Sequence, residues 1–300
     1  MSSPQIRPPH PNPPFPERIP EAFANKIDKA NPADPLALQL RLDPRENDEI
    51  AGFVRDPTGD QNAHKGSGFL HKYRARALWL LTGKCAGHCR FCFRRHYPYE
   101  ETVLSGSEIS KGLDHLARDT GIEEVVLSGG DPLTLPDRSL SDVFSGLADL
   151  PHIRTLRIHT RLPVFSPGRF TPGFLKALSR FPRRKALVAH VNHPRELDGA
   201  TERVFRDLAR EGTTLLSQSV LLRGVNDEAA TLSDLMKALW HQGVTPYYLH
   251  QLDPVHGAAH FHVPVEKGRF LLEALRASLP GYLVPRYVQE IPGDLSKRPL

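Results

Sequence analysis

Cys85, Cys89 and Cys92 are the only cysteines in this 300-residue chain, and all three fall within the stretch GKCAGHCRFCFRRH, residues 83–96. An even number would suggest disulfides, and four would suggest a closed metal site. Three thiolates at Cys-x3-Cys-x2-Cys spacing point to a metal centre with one coordination position left open, which is what a site that does chemistry keeps. A 4Fe–4S cluster takes four thiolates when closed, so three leave one iron for a non-protein ligand. The alternative is a Cys3His zinc site completed by His88 or His96. Ordinary buried cysteines do not cluster this tightly.

Five further polar stretches carry possible chemistry: SGGD, IHTR, HVNH, SQS and HQLD. Each closes a short apolar or β-branched run of strand length, namely 123–129, 153–160, 185–192, 213–222 and 245–252, and a sixth such run, 76–82, leads into the cysteines. Helix-length amphipathic segments lie between them: SEISKGLDHLARDT, TPGFLKALSRF, ATERVFRDLAREG, AATLSDLMKALWHQG with Gly243 as C-cap, and VEKGRFLLEALRASL. Six β–α units at this spacing imply a parallel sheet with right-handed crossovers. Eight would close a barrel, so the expected architecture is α/β, a partial (β/α)6 barrel open on one side. A doubly wound open sheet is the alternative. In either, the reactive face lies at the carboxyl ends of the strands, where the polar residues fall.

Ten of the 28 prolines fall in the first 35 residues. Residues 1–17 therefore read as a flexible Pro-rich tail, 18–74 as a short helical lead-in followed by a turn-rich loop, 75–280 as the barrel and 281–300 as a carboxyl-terminal segment closing over its mouth. The net charge of +5 comes from Lys and Arg spread along the chain. That pattern suits anionic small molecules and gives no footprint for nucleic acid. MSSPQIRPPHPNPPFP has no apolar stretch of secretory type, and no run approaches the roughly 20 apolar residues that span a bilayer. Clustered thiols then belong in a reducing compartment, the cytoplasm.

HKYRARALWLLTGKCAGHCRFCFRRHYP, VVLSGGDPL, IRTLRIHTRLPV, HVNHPREL, QSVLLRGVND and YYLHQLDPVHGAAHF occur in that order. Together they resemble the lysine 2,3-aminomutase family of radical S-adenosylmethionine enzymes, from about residue 18 to the end. Within that family the chain looks most like the branch that supplies β-lysine for modifying elongation factor P (the EpmB branch).

The resemblance implies an isomerase with a 4Fe–4S cluster on Cys85, Cys89 and Cys92, S-adenosylmethionine chelated to the remaining iron, and pyridoxal 5′-phosphate. It implies that Gly129, Gly130, Asp131, His190 and Gln218 border S-adenosylmethionine. Lys297 would form the Schiff base, and Lys72, Tyr73 and Arg76 would hold the phosphate. Arg94 would bind the substrate carboxylate, while Asp253 and Glu290 would grip the distal ammonium of L-lysine, which is moved to β-lysine by a 2,3-amino shift. Glu290 stands where free-lysine mutases carry Asp. Those mutases also carry further cysteines and a zinc-binding extension, whereas this chain has Glu228 and no fourth cysteine, so no zinc is expected. An external reductant such as flavodoxin or ferredoxin, a functional link to elongation factor P and its β-lysine ligase, and a homo-oligomer are further expectations. A mutase for another amino acid, or a radical enzyme modifying RNA, is the alternative.

Overall fold

The inward and outward faces of the strands differ in kind. In TLRIHTR, Leu156 and Ile158 are buried in the hydrophobic core. Arg157, His159 and Arg161 alternate with them and line an internal cavity. Successive side chains of a strand point to opposite faces, so an apolar outside and a polar inside follow from a period of two. The computed structural model describes residues 15–63, 68–73, 75–98, 106–294 and 296–300, with the side chains of Asn62, His71, Lys72 and Tyr73 outside that set. The proline-rich stretch 1–14 also lies outside the described residues.

The strands are β1 (Phe69–Tyr73), β2 (Arg76–Thr82), β3 (Glu124–Gly129), β4 (Thr155–Thr160), β5 (Arg184–His190), β6 (Thr213–Val220), β7 (Thr245–His250), β8 (Arg286–Gln289) and β9 (Arg298–Pro299). They form one sheet in sequential order. β2 to β8 are parallel, while β1 and β9 pair antiparallel at the two edges. Sequential order without reversal rules out a doubly wound sheet, whose strand order switches direction. The partial barrel stands, and it is open.

All six expected strands are present. Three more were not anticipated: β1, β8, which gives the barrel a seventh parallel strand, and the two-residue β9. The carboxyl-terminal segment thus extends the sheet through β8 and folds back through β9, with Val288 opposite Pro299. RYVQ and RP are too short, and too poor in alternation, to be read as strands on their own.

The helices are α1 (Glu21–Ala24), α2 (Pro35–Leu38), α3 (Asp60–Ala63), α4 (Gly106–Arg118), α5 (Asp137–Ala148), α6 (Leu162–Phe165), α7 (Pro172–Leu178), α8 (Gly199–Arg210), α9 (Ala229–His241) and α10 (Val265–Ser278). α8 starts where Asp198 accepts from Ala200 N and Thr201 N while Thr201 Oγ1 takes Asp198 N, a capping box. α9 ends before Gly243 at φ +77°, the left-handed cap expected there. α5 was not foreseen. Its Leu140, Val143, Phe144 and Leu147 make an i, i+3, i+4, i+7 stripe, all buried in the core, that serine and aspartate obscure in the sequence. Among the described residues no helix is long and apolar enough to cross a membrane.

Candidate active site

The three cysteines sit in the loop after β2. Tight turns shape it: Cys92 N bonds to Cys89 O at 3.0 Å and Arg95 N to Cys92 O at 3.1 Å. The segment before the barrel supports it from outside, with Gln39 O accepting from Arg90 N at 2.9 Å and Arg18 O from His88 N at 3.0 Å. Such accounting is needed because a loop this buried has few waters for its amides. All three cysteines line one cavity of about 540 Å³. Burial pushes the Cys92 thiol up to about 11 and, with Cys92 beside it, the Cys85 thiol well above its ordinary value. A metal must therefore displace protons on binding.

Both histidines of the zinc alternative have other partners. His88 stacks on Phe15 at 4.5 Å, with Nδ1 2.7 Å from Pro16 O, and His96 Nε2 lies 3.1 Å from His256 O. Among the described residues, no three His, Cys, Asp or Glu side chains are gathered as a single ion requires. A cubane asks for something wider, because its thiolates go to separate irons.

SGGD closes β3 beside this loop. A Cβ on Gly129 would meet Thr82 O at 2.3 Å, and one on Gly130 would meet Lys84 O at 2.4 Å. Glycine was expected here so that backbone could approach a ligand. What approaches is the protein's own chain, with Gly130 N bonding to Thr82 O at 2.7 Å and Asp131 N to Lys84 O at 2.8 Å. Asp131 likewise serves the protein: its carboxylate accepts from Thr160 Oγ1 at 2.8 and 2.9 Å, Arg161 N at 2.8 Å and Leu133 N at 3.1 Å. Burial still raises it to about 6, against the pull of those donors. All three residues line the cavity.

Along the wall formed by β4 to β7, His159, His190, Gln218 and His250 face the same space. Burial pushes His190 down to about 3 and holds His159 and His250 well below the usual imidazole range, with Arg157 and Lys297 contributing. All three imidazoles are neutral at physiological pH. His190 Nε2 is 3.1 Å from Asn192 Oδ1.

Arg94, Asp253, Glu290 and Lys297 meet in this cavity too. Arg94 is oriented by Asp60, Nε to Oδ2 2.6 Å, and by Ser128 Oγ at 3.2 Å. Glu290 holds the Lys297 ammonium at 2.6 Å, although sequence reading gave these two residues separate tasks. Arg76, half-exposed at the start of β2, lines the cavity and lies 3.9 Å from Glu124. The side chains of Lys72 and Tyr73 lie outside the described residues.

Several lining residues were not singled out from sequence, namely Asp60, Arg157, Tyr248 and Arg286, while His159 and Arg161 were met only as part of the polar strand end IHTR, with no role assigned. Asp60 sits in FVRDPTGDQNAHKGSG, read as a plain loop but containing the one-turn α3. Arg157, His159 and Arg161 carried a usable signal, since charged residues at every second position of an interior strand must face something polar. The residues present fit the groups that the resemblance implies. Three thiols and a lysine border one space, joined by arginines and neutral imidazoles suited to anionic ligands.

The Radical SAM superfamily matches residues 79–235. An L-lysine 2,3-aminomutase of Haemophilus influenzae is 42% identical over 283 residues, covering 94% of this chain and 84% of the relative. One of Escherichia coli is 43% identical over 286 residues, covering 95% and 83%. A crystal structure of a radical SAM methyltransferase from Sphaerobacter thermophilus shares the fold at TM-score 0.50 and 20% identity, covering 73% of this chain and 68% of that one. The cysteine loop after the first parallel strand, the open parallel barrel and these relatives agree: the chain is a radical SAM enzyme and belongs to the L-lysine 2,3-aminomutase family.

Proposed function

We propose that the chain converts L-lysine to β-lysine with pyridoxal phosphate as second cofactor, Cys85, Cys89 and Cys92 holding the cluster and Lys297 holding the pyridoxal group. The observation that carries this reading is that the three thiols and Lys297 line one cavity although more than 200 residues separate them. When bound, the cluster and S-adenosylmethionine supply a carbon radical, and pyridoxal phosphate supplies an electron sink for the migrating nitrogen. The chain's own residues bind, orient and shield.

Arg94, its guanidinium steadied by Asp60 and Ser128, takes the substrate carboxylate. Asp253 and Glu290 take the distal ammonium, and Glu290 already holds one ammonium, that of Lys297. This favours a cationic over an acidic substrate. Gly129, Gly130, Asp131, His190 and Gln218 border S-adenosylmethionine, and Arg76, with Lys72 and Tyr73, binds phosphate. The neutral imidazoles of His159, His190 and His250 leave lysine's positive charge without repulsion.

The same reading makes the protein a cytoplasmic supplier of β-lysine for elongation factor P, reduced by a flavodoxin or ferredoxin. Anaerobic turnover of reconstituted protein with L-lysine, S-adenosylmethionine, pyridoxal phosphate and dithionite tests it by mass spectrometry. β-Lysine is the expected product. 5′-Deoxyadenosine without β-lysine would leave the cluster reading intact and overturn the substrate.

A further inference from the structure

Arg161 reaches the cysteine loop directly, with Nη1 donating to Cys89 Sγ at 2.8 Å. The Arg161 side chain is 6% exposed, and its guanidinium is pinned from several directions. Phe165 stacks on it at 4.5 Å, and Phe23 and Phe91 lie at 5.6 Å. Nη2 donates to Gln39 Oε1 and to Glu196 Oε2 at 3.2 Å. Those acceptors are themselves fixed: Glu196 Oε1 takes Gln39 Nε2, Asn192 N and His193 N, each at 3.0 Å, and Asn192 Nδ2 donates to Gln39 Oε1 at 3.0 Å. An arginine serving only to tie strands together would be expected to place both Nη groups on Glu196, since the fork matches a carboxylate. Here one Nη carries both anchors, the other is turned to the sulfur, and Nε is buried without a partner among the described residues.

We propose that Arg161 is a positioning residue for the iron–sulfur cluster: its guanidinium donates to the Cys89 thiolate, raises the cluster's reduction potential, and is held there by Gln39 and Glu196. This rests on the reading of Cys89 as a cluster ligand. Hydrogen bonds to cluster sulfur and nearby charge are among the main determinants of such potentials. Reduction adds a negative charge to the cluster. A cationic donor at the ligand sulfur therefore favours the reduced form over the oxidised one. Gln39 comes from the segment before the barrel and also accepts from Arg90 N, next to Cys89, so that segment acts on the cluster from two sides.

The test is a mediated redox titration of anaerobically reconstituted holoprotein, read by electron paramagnetic resonance of the reduced cluster. Arg161→Lys keeps the charge beside Glu196 but not the reach to Cys89. Its cluster should hold four irons and titrate at a more negative potential. An unchanged potential in a fully loaded variant overturns the proposal. A second readout needs no altered Arg161. In protein carrying guanidino-15N arginine, the reduced cluster should show a 15N coupling that persists in Arg94→Lys, and its absence overturns the proposal even if Arg161→Lys fails to load. Full cluster loading in Cys89→Ala would instead overturn the ligand reading beneath both.

Discussion

Charge is handled differently on the two sides of this barrel. On the cysteine side, Glu46 is paired with Arg90 and Arg95, both at 2.5 Å, and Arg161 with Glu196 at 3.2 Å, with every partner at most 7% exposed at the side chain. On the carboxyl-terminal side, Lys297 pairs with Glu290 at 28% and 13% exposure, and Arg298 with Asp294 at 56% and 30%. Removing one partner of a buried pair strands the other in a low-dielectric interior, whereas a water-exposed pair is screened and replaceable. The cysteine side is therefore built to stay put. The lysine side leaves its pairs open to water, which suits the proposed exchange of Lys297 between Glu290 and a cofactor.

The sharpest break in this contrast should come from the chemistry itself. Cys89→Ala should abolish the brown absorption near 400 nm together with all formation of 5′-deoxyadenosine and β-lysine. Iron content at wild-type level would count against the assignment. Lys297→Ala should lose β-lysine formation as completely while keeping its iron, so that spectrum and product assay separate the two sides. Surviving mutase activity would sink the role of Lys297.

Smaller effects compare the same substitution on each side. Glu46→Gln should cost about 3–5 kcal/mol in urea unfolding, because Arg90 and Arg95 are left buried and underpaired. Glu290→Gln, where water can replace the carboxylate, should cost under about 1 kcal/mol while raising KM for lysine. Similar losses at both positions would erase the distinction.

Between these lies the wall of imidazoles. An unfolded histidine titrates near 6.5, whereas folded His190 does so at about 3. The unfolded chain thus binds more protons below pH 6.5, and stability should fall as pH drops through the window from 6.5 to about 3. The slope is up to about 1.4 kcal/mol per pH unit for each buried histidine. Asp131, raised to about 6, opposes this between about pH 4 and 6, because there the folded state holds the extra proton. His190→Gln should flatten the acid limb measurably, and an unchanged limb would show that this site does not set it.

Much of the fold could be read from the residues, and the reason is local. Six strands and five helices announce themselves by their own periodicity, as TLRIHTR does, and the cysteines by their spacing. The rest depends on contacts that close only in three dimensions. RYVQ becomes a strand because β7 offers it an edge, and Asp60 becomes part of the site because Arg94 needs an anion. Gly129 and Gly130 were legible as necessary, and the structure adds a reason that sequence could not show, since the carbonyls of Thr82 and Lys84 from another strand end crowd both positions. Asp131 lines the cavity, and its lone pairs go to Thr160, Arg161 and Leu133, which sequence could not show. The pairing of Lys297 with Glu290 lay beyond sequence reading because it depends on β9 folding back to pair with β8.

An open barrel leaves a rim, and a rim of unpaired backbone is a template on which another chain can grow a strand. Here the outer strand on the carboxyl-terminal side is β9, two residues long. Leu300 N turns inward to Tyr287 O at 3.0 Å, so the alternation of a strand directs the amide position of residue 299 outward. That residue is proline and has no N–H to offer. The side of the molecule with the more exposed ion pairs is thus also the side whose edge is made unattractive to neighbouring chains.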